Sequence, residues 1–454
     1  MEKTHKKAQI DMLHGSIWNK LIQFAFPVAA TGILEQLFNA SDIAIVGNFS
    51  GEANTVAVAA VGANTPIIGL ILNLFIGIAL GTNVVIANSI GRNDEASIHK
   101  AVHTSIIMAI VGGLIVSVMS EFLISGLMPL LNVPDDVLPY ALLYIRIYLL
   151  GLPVILLYNF EAAIFRSIGE TRIPLQVLAF SGVINVLLNL FFVIVLKMNV
   201  NGVATATVIS NAISALLLLM KLLKTKQVIR VRRDELRFDR DICIKILKIG
   251  LPAGIQTAVF AVANIVIQSA INSLGTVVMA ASSAAFNIEI CVYDILNSFS
   301  QACTTFVGQN FGAGQFKRCK KILLLCIAED AIATASMVAI VLFFGRNLLR
   351  IFSTDPQVIE TGYIRLLLIF SAYTFSMLYE NMSGYMRGFG ISLTPAVLTT
   401  IGVCAVRLFW MFVVFPTHRT FTTIMLAYPL SLATTAVLIF IALMKYRPSK
   451  RMQA

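Results

Sequence analysis

The chain has 454 residues, 58% of them hydrophobic and 13% charged, with a mean hydropathy of +0.85 and a formal net charge of +11. A soluble domain carries about 25% charged residues, so this composition excludes an ordinary globular enzyme and points to a membrane. The basic excess is confined to loops on one side of the predicted spans, which excludes a nucleic-acid surface and reads as an orientation signal.

Apolar runs long enough to cross a hydrocarbon layer of roughly 30 Å recur from end to end. They predict an all-α integral membrane protein with twelve helices, at 16–48, 52–82, 96–122, 136–161, 172–196, 201–223, 242–272, 276–308, 318–343, 357–386, 392–416 and 419–444. Lys3, Lys6 and Lys7 precede the first run. That run is too long for a signal-peptide core, so the N-terminus reads as a cytoplasmic tail. Further Lys and Arg follow the even-numbered spans: Arg92 and Lys100, Arg166 and Arg172, the stretch from Lys224, Lys317 to Lys321, Arg387, and finally Lys445 to Arg451. Loops after the odd spans hold fewer, mainly Lys197, Arg346, Arg350 and Arg419. Both termini are therefore expected in the cytoplasm, with the basic loops against anionic lipid headgroups.

The first span carries Pro27, Glu35 and Asp42. A proline inside a helix removes one backbone hydrogen bond and marks a hinge or a fixed kink. Glu35 and Asp42 are seven residues apart, which is two turns, so both point to one face. A carboxylate in a membrane span costs about 2.5–3.5 kcal/mol on insertion scales and normally faces a wet cavity or a partner. Asp42 is thus a candidate for binding a proton or cation, and Glu35 for a substrate cavity. His99 and His103, at the cytoplasmic start of the third span, read as interface residues. The fifth span has Asn185 and Asn189 one turn apart, and the sixth has Thr207. All three are hard oxygen donors, suited to a small cation or to hydrogen bonds between helices.

The second half repeats the first. "LIQFAFP" ending at Pro27 returns as "ILKIGLP" ending at Pro252, "ANSIGRN" from Ala87 has "GQNFGAG" from Gly308 in its place, and "YIRIYLLGLP" from Tyr144 returns as "YIRLLLIFSA" from Tyr363. "RSIGETRIP", Arg166 to Pro174, returns as "RGFGISLTP", Arg387 to Pro395. Six spans per copy is an even number, so the repeat is parallel, and such halves place a site between them. The expected division is an N-lobe at 1–223, a cytoplasmic linker at 224–241 and a C-lobe at 242–454. In the repeated loop, Gly169 and Gly390 suit the left-handed residue that ends a helix. Pro174 and Pro395 suit the first turn of the next. Arg166 and Arg387 lie on the cytoplasmic side, as part of the fold or of a gate.

The second half also carries Glu289 and Asp294 on the eighth span and Glu380 on the tenth, all candidates for a substrate cavity. Glu329 and Asp330 on the ninth read as fold-supporting. Cys243, Cys291, Cys303, Cys319, Cys326 and Cys404 contain no CxxC pair, which argues against a metal site or a disulfide framework. No HExxH or GxSxG motif suggests an enzyme. The abundant Met and Phe (16 and 29) fit lipid contact, helix packing or an adaptable cavity.

"VGQNFGAG" (Val307–Gly314), the doubled "RSxG…P" and "RGxG…P" loops, and "LFNASDIAIVG" (Leu37–Gly47) resemble multidrug and toxic compound extrusion (MATE) transporters. The resemblance covers nearly the whole chain and is to the bacterial and archaeal branch with an N-lobe cation site. It implies two six-helix lobes arranged as a V, no cofactor, and a monomer that exports drug-like, often cationic compounds against H⁺ or Na⁺. It implies that Asp42 is the first-helix coupling aspartate, with Asn185, Asn189 and Thr207 completing an H⁺ or Na⁺ site, and that the helix bends at Pro27. It favours Glu289, nineteen residues before Gly308, in the C-lobe. Asn189 departs from the branch pattern, which often has Asp there. A flippase for lipid-linked oligosaccharide is the alternative, and it would need a basic cavity.

Overall fold

The computed structural model describes residues 10–49, 54–130 and 134–448. Lys3, Lys6, Lys7, Lys450 and Arg451 lie outside them. The described residues are all-α, with no strand. In the first half the helices are α1 (Trp18–Phe49), α2 (Asn54–Gly91), α3 (Glu95–Leu130), α4 (Leu138–Leu150), α5 (Leu152–Ser167), α6 (Arg172–Val195) and α7 (Val200–Lys224). In the second they are α8 (Arg240–Asn272), α9 (Thr276–Gly312), α10 (Phe316–Leu349), α11 (Pro356–Phe370), α12 (Tyr373–Gly388), α13 (Leu393–Val414) and α14 (Phe421–Tyr446).

Ten of these are long and apolar enough to cross a membrane, and the bent pairs α4–α5 and α11–α12 bring the number to twelve. The unbroken helices expected at 136–161 and 357–386 are therefore broken ones, bent by 50° and 46°. The first break falls at Gly151, with Pro153 in the opening turn of α5. A proline in the first turn loses nothing, whereas in a continuous helix it would clash and remove a bond. The second break, at Ser371 and Ala372, has neither glycine nor proline. There the Ser371 hydroxyl donates to the Leu368 carbonyl at 2.7 Å, competing with the helix ladder. Both breaks fall at matching places in the repeated "YIR" segment.

The repeated loop closes in the same way twice. Gly169 (φ +84°) and Gly390 (φ +80°) are left-handed. The Gly169 N–H reaches the Arg166 carbonyl at 2.9 Å and the Glu170 N–H reaches Phe165 at 3.0 Å. Gly390 to Arg387 and Ile391 to Met386 repeat this at 2.8 and 3.0 Å. These paired bonds satisfy carbonyls that the helix end leaves open. Arg166 and Arg387 sit in the last turns of α5 and α12, where a cation complements the helix dipole.

The chain forms two compact units, which do not divide at the linker. Unit 1 comprises Ala30–Leu251, and unit 2 joins Ile10–Ala29 to the chain from Pro252 onward. Helices α1 and α8 each pass from one unit to the other within a turn of a proline, Pro27 and Pro252. The stretch 224–241 belongs to unit 1. Its Ile229 and Val231 are buried in the core formed by α2, α3 and α5. The Arg232 N–H donates to His103 Nε2 at 3.1 Å, the Asp239 N–H donates to Thr104 Oγ1 at 3.1 Å, and Lys100 pairs with Asp239 at 3.0 Å. In unit 2, Asn310 and Arg318 bond backbone carbonyls of the Met12–Gly15 segment.

Candidate functional site

Unit 1 contains a cavity of about 170 Å³ lined by residues of α1, α2 and α4 to α7. The two-turn spacing on α1 places Glu35 and Asp42 on its wall together. Gly182 of α6 allows α1 to lie this close, because a Cβ there would overlap the Phe38 ring. Asn189 of α6 and Thr207 of α7 bond the Asp42 carboxylate, and Asn185, one turn before Asn189, bonds both of them.

The four polar residues form one hydrogen-bonded cluster. Asn189 Nδ2 donates to Asp42 Oδ1 at 2.6 Å, and Thr207 Oγ1 donates to Asp42 Oδ2 at 3.1 Å. Asn189 Nδ2 also donates to Asn185 Oδ1 at 3.1 Å, and Thr207 Oγ1 lies 2.9 Å from the Val203 carbonyl. Asp42 is 7% exposed and Asn189 fully buried, yet no lysine or arginine is paired with the carboxylate among the described residues. The Asn189 carbonyl oxygen is buried without a hydrogen-bond partner. A Na⁺ would need oxygens turned inward, whereas here the Asn189 amino group occupies one face of the carboxylate. A proton needs no such shell. Protonated Asp42 can donate to Thr207, whose own hydrogen then goes to Val203, because a hydroxyl both donates and accepts.

The remaining walls are aromatic in a way that counting Met and Phe did not reveal. Tyr144, Tyr148 and Tyr158 line the cavity beside Phe38, and no Met does. Tyr144 and Tyr148 stack at 6.3 Å across one helical turn. Their i, i+4 spacing in "YIRIY" was the available signal.

Glu289, Asp294 and Glu380 belong to unit 2 and do not line this cavity. Glu289 Oε2 accepts from Arg365 at 2.8 and 3.2 Å, and the guanidinium also donates to Ser282 Oγ at 2.6 Å. Glu289 thus neutralises a buried arginine, 4% exposed at its side chain. Sequence reading missed Arg365, although an arginine inside a membrane span is a signal in its own right. Its counterpart in the repeated motif, Arg146, pairs with Glu121 at 3.0 Å. Glu380 is buried and accepts from the Tyr293 hydroxyl at 3.3 Å. Arg387 is likewise buried, donating to Gln256 Oε1 of α8 at 2.9 Å. Arg407 of α13, also overlooked, lies over the Tyr428 ring at 4.2 Å.

The MatE family model matches the chain twice, at residues 27–191 and 252–413, starting at Pro27 and Pro252. The chain belongs to the MatE family. Among MatE relatives it is 25% identical over 94% of its length to the probable multidrug resistance protein YoeA of Bacillus subtilis, covering 93% of that protein. It is also 25% identical to the probable multidrug resistance protein NorM of Thermotoga maritima, over 86% of this chain and 84% of that one. A FAD transporter of Shewanella oneidensis is 25% identical over 72% and 73%. In fold it is similar to the crystal structure of MATE in complex with MaL6, with a TM-score of 0.89 at 20% identity over 98% and 99% of the two chains. A MOP superfamily transporter from Pyrococcus furiosus gives 0.89 at 21% identity over 97% and 98%. This MatE chain is therefore an all-α, multi-pass membrane protein of a transporter family.

Proposed function

We propose that this MatE protein is a proton-coupled exporter of drug-like, often cationic compounds, working by alternating access in the inner membrane with both termini cytoplasmic. The observation that carries this reading is the Asp42 cluster: a buried carboxylate with no cationic partner among the described residues, on the wall of a cavity, held by groups that accommodate both of its protonation states. Proton entry from outside neutralises Asp42 and favours the state that has released its drug. Deprotonation inside returns the state that binds one. A ligand shifts such an equilibrium only through its different affinity for the two states. Asp42 supplies that difference, with Asn185, Asn189 and Thr207 orienting it and Pro27 placed to let α1 bend. Glu35 and the tyrosines suit a positive, amphipathic compound through charge and cation–π attraction. The multidrug names of the relatives agree with this. The cavity is smaller than the roughly 300–1,000 Å³ of drug-sized pockets, so in this conformation it suits the coupling ion and a small part of the drug. No Lys or Arg is among the lining residues, which counts against a flippase for pyrophosphate-linked sugars.

The test is drug efflux from proteoliposomes with proton and sodium gradients imposed separately. Wild type should respond to the proton gradient, and Asp42→Asn should lose that response while inserting and purifying normally. Asn189→Asp, by adding a second carboxylate, should raise the response to Na⁺. Wild-type efflux that requires Na⁺ and ignores the proton gradient refutes proton coupling, and an Asp42→Asn protein exporting at the wild-type rate removes Asp42 from the mechanism.

A further inference from the structure

The Asp42 arrangement has a counterpart in unit 2 that the repeat does not predict. Asp330 of α10 is fully buried. Its Oδ2 accepts from Asn381 Nδ2 of α12 at 2.6 Å, and its Oδ1 from Thr334 Oγ1 at 2.8 Å. In both units one carboxylate is held by one asparagine amino group, at the same 2.6 Å, and by one threonine hydroxyl. In both, the asparagine's carbonyl oxygen is buried without a partner. The Asn381 amide is fixed in this sense, because its amino group also donates to the Met377 carbonyl at 3.0 Å. The carbonyl oxygen is therefore left over by the geometry.

The match is not inherited through the repeat. Asp42 lies on the first span of its copy, whereas Asp330 lies on the third span of its own. The arrangement was reached from different positions, with the same chemistry as the result. No lysine or arginine is paired with Asp330 among the described residues. The titratable groups facing it are Glu380 from α12 and Cys326 on its own helix, with Cys303 of α9 against Cys326. Glu329, the preceding residue, is also buried, and neither of its oxygens has a hydrogen-bond partner. A helix turns about 100° per residue, so Glu329 points away from the Asp330 cluster.

We propose that Asp330 is a second proton-binding carboxyl, so that the carrier moves two protons per cycle, one in each unit, with the Asp330 proton carried only when protonation of Asp42 drives the cycle. The proposal rests on the proton-coupled reading given above. In the ionised state both Asp330 oxygens accept hydrogen bonds. On protonation, a proton from the outer aqueous phase forms the O–H bond at Oδ1, which then donates to Thr334 Oγ1 while Asn381 keeps Oδ2. Release reverses this, and the proton leaves to the cytoplasm. Both states keep both contacts, so the proton exchanges without repacking α10 against α12. A Na⁺ is disfavoured here, because two donor hydrogens occupy the carboxylate oxygens.

Two measurements test it on the full-length protein in lipid. The first is infrared difference spectroscopy between acid and neutral pH. Wild type should show two carboxylic C=O bands sensitive to deuterium, one lost in Asp42→Asn and the other in Asp330→Asn. Thr334→Val should keep the second band but move it to higher frequency, because its hydrogen-bond acceptor is gone. This variant keeps the test open if Asp330→Asn folds poorly. The second is the steady-state drug gradient against an imposed pH gradient. Losing one proton per drug lowers the drug ratio by about tenfold per unit of pH imposed, and Asp330→Asn should show that loss. An Asp330→Asn protein with both bands and wild-type stoichiometry overturns the proposal, as does a Thr334→Val band that does not move. If Asp42→Asn alone leaves coupling intact, the reading of Asp42 fails while Asp330 stands. If Asp330→Asn alone does so, the reverse holds.

Discussion

Removing the charge of Glu289 separates a structural role from one in substrate binding. Its partner Arg365 is 4% exposed at the side chain, and Glu289 is 13% exposed, so solvent screens the pair little. The guanidinium retains Ser282 and two distant rings, Phe286 and Tyr428, each 5.7 Å away. None of these carries a negative charge. Breaking a buried pair by removing one partner costs about 3–5 kcal/mol, because the other charge stays behind. Replacing both partners with apolar groups of similar volume is often neutral. Glu289→Gln should therefore destabilise unit 2 by about 3–5 kcal/mol, or roughly 6–20 °C in apparent melting temperature for a unit of this size. The double variant Glu289→Met with Arg365→Met should recover most of that. The assay is thermal unfolding in detergent, read by the fluorescence of monodisperse protein after heating. A Glu289→Gln protein as stable as wild type refutes the argument, and so does a double variant no better than the single. Drug efflux by a stable double variant would also rule Glu289 out of substrate recognition.

Two further outcomes follow from local geometry. A Cβ at Gly384 would lie 2.6 Å from the Ser300 carbonyl oxygen and 3.0 Å from Thr304 Oγ1. Overpacking of this kind costs about 1–3 kcal/mol, so Gly384→Ala should melt lower than wild type, whereas Gly62→Ala, with nothing within 4 Å of its Cβ, should not. Glu170, in the loop between α5 and α6, has its carboxyl raised above the ordinary range by burial, against opposing backbone bonds from Arg172 and Ile173. A raised carboxyl destabilises the fold once pH exceeds the folded-state value and does nothing below the unfolded one. Glu170→Gln should therefore melt above wild type near about pH 8, with the gap closing as pH falls toward about pH 4; a gap independent of pH would contradict this.

Polar residues in apolar helices carry a cost, which is why Asp42, Asn185, Asn189 and Thr207 could be picked out one by one and why the structure finds them bonded together. The twelve spans were legible for the same reason, since hydropathy is a property of single segments. What stayed hidden depends on residues distant in sequence. Glu289 reads as a cavity acid until Arg365 appears 76 residues later to neutralise it. The break at Ser371 arises from a side-chain bond rather than from glycine or proline. Tyr144, Tyr148 and Tyr158 are apolar enough to pass as core, and only the packing of α1, α6 and α7 opposite them makes their face a cavity wall. Asp330 looked like support for the fold because its partner Asn381 lies two helices away.

The exchange of helix segments between the units has a consequence for how the chain is made. Residues 10–29 leave the ribosome before any of the chain from Pro252 onward, yet they cluster with it in one unit. Asn310, which holds the Met12 carbonyl at 3.0 Å, is synthesised 298 residues later. This segment must therefore wait, inserted but unpacked, while Ala30–Leu251 of unit 1 is synthesised. A chain cut in the linker gives two fragments that each lack a piece of one unit: the first carries 10–29 away from unit 2, and the second carries the start of α8 away from unit 1. Neither fragment holds a complete unit, so each should be degraded when made alone and survive when both are made together. Ordinary gene-fission experiments can then report on assembly without any measurement of transport.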